Sequence, residues 1–114
     1  MKIRIYQIDF THDEKMLSFL SLEAVMRKCG GSIPAECYRM VYACETSAET
    51  LEDVFCIFNE KRPEDYRSRS MSVSDVVEVL REDASSLFYF CDVIGFKAID
   101  FDAVKVIGGA QNGM

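Results

Sequence analysis

The chain has 114 residues, 49% of them hydrophobic and 28% charged, with a net charge of −6. That length has room for one domain, and the balance is that of a globular chain, not a disordered one. The acid excess disfavours non-specific nucleic-acid binding, which relies on cations displacing phosphate counterions; no apolar run approaches the roughly 18 residues that cross a bilayer.

The opening "KIRIYQIDF" alternates as a strand does. Ile3 and Ile5 share one parity, Ile8 and Phe10 the other, and this phase slip predicts a bulge or strong twist near Tyr6-Gln7. "THDEK" reads as a polar turn, and Met16–Phe19 as a short returning strand. Ser21 then has the character of an N-cap with Glu23 in the first turn. "LEAVMRKC" follows as a short helix, closed by Gly30-Gly31 after Arg27-Lys28. "ECYRMVYACE" alternates again, predicting a strand with Tyr38, Met40, Tyr42 and Cys44 on one face.

Thr50 caps "LEDVFCIFNE", with Asp53 as its capping-box partner. Leu51, Val54, Phe55 and Phe58 recur at helical spacing and predict a helix laid on a core. "EKRPEDYRSRS" is a charged connection broken by Pro63. Residues 72–80 fit two templates, since Val73, Val76, Val77 and Leu80 also make a helical stripe. Four of those nine residues are valine, which suits a pleated surface better than a helix. With the plain strand "LFYFCDV" beyond "REDASS", a hairpin accounts for both halves. "SVSD" is then a turn whose Ser and Asp satisfy their own backbone amides, launching a strand from about Val76. Gly95 breaks or bulges the second strand, and "FKAIDF" is a candidate last strand. The expected order is β-β-α-β-α-β-β, with an optional further β. This is an α+β fold with a small, mainly antiparallel sheet and two short helices. Residues 1–107 form a single domain and 108–114 a flexible tail.

Taken together, "RIYQI", "YRMVYACE", "TLEDVFCIFNEKRPEDYRSRSMSVSDVV" and "YFCDVIGFKAIDF" resemble the YodL-like domain over roughly residues 3–101. The most specific parts are "TLEDVFCIFN", "RP.D", "S.SVSDVV" and "Y..D..GF", in that order. Cys91 stands where the family pattern has an aliphatic residue, and the first strand-to-helix region is longer than the pattern. The resemblance implies a Firmicutes protein, since such domains occur free-standing and as modules of conjugative and phage-like elements. It implies an accessory or interaction role without catalytic residues.

The residues themselves offer little catalytic chemistry. Five cysteines, at 29, 37, 44, 56 and 91, are odd in number and scattered. That suits buried thiols in a reducing, cytoplasmic setting better than a disulfide framework or a zinc site. "MKIRIYQIDF" is too short and too charged for a signal peptide. His12 is the single histidine, and nothing in the sequence sets it beside a cysteine as a nucleophile requires. No glycine cluster forms a phosphate-binding loop. No cofactor or metal is expected.

The residues that invite a partner lie late in the chain. Arg62, Arg67 and Arg69 surround Tyr66 and lead into Ser72, Ser74 and Asp75, a combination able to grip an anion or a partner's carboxylate. The alternative is a solvated loop whose arginines pair with Glu64 and Asp65. Asp92 sits in an apolar strand, where an unpaired carboxylate is costly. It is expected to pair with an arginine, cap a turn or line a cleft. These readings point to a module that binds another protein through the 62–75 loop and an exposed strand edge. Two rivals remain. One is a nucleic-acid role, either RNA binding on the late hairpin or acidic DNA mimicry. The other is a small-molecule enzyme or ligand-binding domain with a pocket beside Asp92.

Overall fold

The computed structural model describes residues 1–108. Its strands are β1 (Lys2–Ile8), β2 (Tyr38–Glu45), β3 (Val76–Leu80), β4 (Ser86–Cys91) and β5 (Phe96–Ile99). They form one sheet in the order β2-β1-β3-β4-β5, each neighbouring pair antiparallel. Two helices, α1 (Leu22–Lys28) and α2 (Leu51–Glu60), complete an α+β fold. Apart from Gly108, the expected flexible tail lies outside the described residues.

Local signals act as the sequence predicts at both helix starts. The Ser21 hydroxyl accepts from the Ala24 amide. Thr50 and Asp53 form a reciprocal capping box, satisfying amides that the helix leaves without partners. Residues 72–75 form a turn, and Val76–Leu80 is a strand, as the hairpin reading requires. The segment Met16–Phe19 is not a strand. Met16 and Phe19 both take left-handed backbone angles, φ 57° and 69°, which an extended chain does not pass through. The Asp13 carboxylate holds this turn by accepting from the Leu17 and Ser18 amides.

The sheet is buried on both faces. Val25 of α1 packs on one face with Tyr6, Ile8, Tyr38, Val76, Phe90 and Phe101. Val54 and Phe58 of α2 pack on the other with Ile3, Ile5, Tyr66, Met71 and Val77. This arrangement corrects two expectations. β1 has no phase slip: Ile3 and Ile5 face α2 and Tyr6 and Ile8 face α1, so both parities carry buried apolar residues because both faces are covered. A register shift does fall at Ile5/Tyr6, but the extra residue is Val41 on β2, since Ile5 pairs with Tyr42 and Tyr6 with Met40. That bulge divides the predicted β2 face. Tyr38 and Met40 pack on the α1 side, Tyr42 and Cys44 on the α2 side, because one inserted residue inverts the alternation beyond it.

Candidate functional site

The C-terminal ends of β1 and β4 and the N-terminal ends of β3 and β5 lie together at one end of the sheet, as the antiparallel register requires. The sequence-predicted site residues gather there, and most are turned inward. Tyr66 is buried against Tyr42 and Phe58, and its hydroxyl donates to the Arg69 carbonyl at 2.6 Å. Arg69 donates to the Ile8 carbonyl at 2.8 Å, and its guanidinium lies 4.2 Å from the Phe10 ring centroid. Ser74 is buried, accepting from the Phe19 amide through its hydroxyl and from Tyr38 through its carbonyl. Arg62 and Arg67 stay exposed, donating to the Ser70 hydroxyl and the Glu64 carbonyl. Among the described residues none of these arginines ion-pairs with Glu64 or Asp65. Asp65 instead accepts from the Tyr42 hydroxyl, whose pKa is pushed up to about 12 chiefly by that bond.

Asp75 is the centre of this packing. It is fully buried, and one carboxylate oxygen accepts from Gln7 Nε2 and from the Ser72 amide, both at 2.9 Å. Gln7 also donates to the Arg69 carbonyl and accepts from Ser68. The other carboxylate oxygen, the Ser72 hydroxyl and Arg69 Nε are buried without a hydrogen-bond partner among the described residues. Burial pushes the Asp75 pKa up to about 7, against the opposing effects of Gln7, Ser72 and Arg69. Residues 62–75 are therefore stapled to the sheet rather than held out as a free loop.

Asp92 lies one residue past β4. Its carboxylate accepts from the Val93 amide at 2.8 Å and from the Leu22 amide, the first of α1, at 3.1 Å. Its charge neighbour is Lys97, at 3.9 Å, and not an arginine. Asp92 also lines a groove of about 330 Å³ between α2 and the β4–β5 turn, with Phe55, Cys56, Val93 and Phe96.

Beside these inward-turned groups and the exposed arginines, large apolar side chains also face water. Among the described residues eight large apolar side chains are exposed. Leu87 and Val104 lie elsewhere. Phe10, Met16 and Phe19 belong to the connection leaving β1, Val93 and Ile94 to the β4–β5 turn, and Phe55 to the groove wall. Ile94 is 82% exposed and Val93 67%, although they occupy the centre of a turn that Asp92 and Gly95 close. Phe10 and Phe19, each more than half exposed, stack edge to face at 6.0 Å. The left-handed backbone at Met16 and Phe19 is a strained way to present apolar side chains to water. Sequence reasoning missed this surface because it looked for polar chemistry. The available signal was two β-branched residues, Val93-Ile94, where a turn ordinarily carries Asn, Asp or Gly.

The family model of the YodL-like domain matches residues 2–101. The chain belongs to the YodL-like domain family. No curated protein and no solved structure matches it. Three of the four segments most specific to the YodL-like pattern meet at this end of the sheet. "TLEDVFCIFN" is the capped α2, "S.SVSDVV" is the Asp75 turn with the start of β3, and "Y..D..GF" carries Asp92 and the apolar turn.

His12, Cys29 and Cys37 line one broad cavity of about 690 Å³. Burial, with the acids nearby, pushes the Cys37 thiol above its ordinary range, away from the thiolate that nucleophilic attack needs. No helix among the described residues is long and apolar enough to cross a membrane. Glu78, which the sequence did not single out, is buried on the α1 face of β3. It accepts from the Tyr6 hydroxyl at 2.6 Å, from Ser86 and from Arg4. With three donors on one carboxylate, it ties β1, β3 and β4 together.

Proposed function

We propose that this YodL-like domain is a non-enzymatic interaction module that binds another protein through the apolar end of its sheet. It works in the reducing cytoplasm of a Firmicutes cell, as an accessory to a mobile genetic element. The observation that carries the reading is the concentration of exposed Phe10, Met16, Phe19, Phe55, Val93 and Ile94 around one sheet end. Water-exposed apolar clusters of this kind are characteristic of protein-binding surfaces. Of the residues singled out by sequence, Arg69 and Asp92 belong to this surface, through the Phe10 stack and the groove. The free edge of β5 adjoins it at Phe96. Five free cysteines are in keeping with a reducing compartment, and the family resemblance supports the mobile-element setting.

The test is capture of partners from host lysate by the tagged chain and by a Phe19→Asp/Ile94→Asp double variant, with and without nuclease, read by mass spectrometry. The variant's fold is checked by its thermal melt. A single protein held by the parent in both nuclease conditions and lost by the folded variant is the expected result. Enrichment that disappears with nuclease supports a nucleic-acid role instead, and no enrichment overturns both.

A further inference from the structure

We propose that the groove between α2 and the β4–β5 turn takes the apolar side chains of a lysine- or arginine-rich segment of the partner protein. This rests on the interaction-module reading and names the chemistry of the partner. The floor and sides are apolar, formed by Phe55 and Cys56 of α2 and by Cys91, Val93 and Phe96 of the hairpin. On the hairpin side of the rim Asp92 is mostly covered and pairs with Lys97, while Glu52 makes the α2 side acidic. The helical wall extends that sign. Between Thr46 and Glu60 the chain carries Glu49, Glu52, Asp53 and Glu60 and no lysine or arginine.

Lys97, beside Asp92, is already engaged by the Ile94 carbonyl at 2.7 Å and by Asp92 at 3.9 Å. An acidic segment approaching this groove meets like charge on α2 in a chain whose net charge is already −6. A basic segment meets complementary charge and gains apolar contact from its anchor residues and from its own methylene stems. A small ligand filling the groove would leave Ile94 uncovered, whereas a chain segment lying along the rim covers it.

The test uses the full chain, nitrogen-15 labelled, titrated with a short amidated leucine–lysine peptide and with its leucine–glutamate counterpart. Amide shifts and fluorescence anisotropy are the readouts, and self-association is followed by sedimentation. Expected are shift changes confined to Glu52–Cys56 and Cys91–Phe96. The leucine–glutamate peptide is expected to bind at least about tenfold more weakly, and Glu52→Lys or Phe55→Ser to weaken the leucine–lysine peptide by about tenfold or more. Glu52 is exposed on the helix surface, so Glu52→Lys leaves the core intact.

Equal binding of the two peptides, shift changes on another face, or affinity unmoved by Glu52→Lys overturns the inference. So does a dimer of the chain that Glu52→Lys dissociates, since the occupant is then a second copy. In the lysate experiment, capture lost with Phe19→Asp/Ile94→Asp but kept with Glu52→Lys refutes the groove assignment while leaving the module reading standing. Absence of any capture by the parent chain refutes the module reading itself.

Discussion

Replacing Asp75 with alanine tests the packing at the sheet end most directly. The side chain accepts from a buried donor, Gln7 Nε2, and from a half-buried one, the Ser72 amide, each at 2.9 Å. Gln7 keeps the Arg69 and Ser70 carbonyls as acceptors at 3.1 and 3.4 Å, but the Ser72 amide loses its side-chain partner. An orphaned buried donor costs about 1–3 kcal/mol and a lost hydrogen bond about 1 kcal/mol, so the substitution is expected to destabilise by about 2 kcal/mol near pH 5.

The sign of the pH dependence follows from burial. The folded-state pKa of about 7 lies above the ordinary carboxyl value. Stability linked to this group is therefore fully present below about pH 4 and falls as pH rises toward and through 7. The groups facing Asp75 are Arg69 on its own segment, Tyr38, Tyr66 and Cys91. None of the other three ionises in that window, since burial raises each above its ordinary range. Alanine has no carboxyl to ionise, so the gap between parent and Asp75→Ala narrows by at least about 1 kcal/mol from pH 5 to pH 8. Urea unfolding followed by circular dichroism at the two pH values measures this. A variant as stable as the parent at pH 5, or a gap that widens with pH, would refute the reasoning.

Thr50→Ala removes one arm of the α2 capping box and is expected to cost about 1 kcal/mol in urea unfolding, with the groove emptied of no side chain. Among the thiols, exposed Cys56 is expected to react first with a thiol reagent at pH 8. Cys91, whose pKa burial pushes up to about 12, is expected to react only on unfolding, as peptide mapping of the labelled chain would show.

Much of this YodL-like domain is written locally in its sequence. Ser21 and Thr50 with Asp53 mark the helix starts through side chains that reach amides three or four residues away. Valine density separates β3 from a helix, and within the Ser72–Asp75 turn the Asp75 carboxylate takes the Ser72 amide as expected, while the Ser74 hydroxyl serves the distant Phe19 amide and not the turn. Such signals survive without the fold because cause and effect lie a few residues apart.

What the chain could not disclose on its own depends on partners distant in sequence. Which residues face which helix on β2 was settled by Val41, an extra residue visible only against β1. The arginine-rich loop looked like a solvated binding loop. Its fate was decided by Gln7, about 60 residues earlier, which draws Asp75 and the Arg69 carbonyl inward. The exposed cluster arises because antiparallel pairing brings the exits of β1 and β4 to one end of the sheet. No local pattern places Phe19 and Ile94 on the same end. Only assembly of the sheet does, because long-range hydrogen bonding and burial on two faces together fix where each connection emerges.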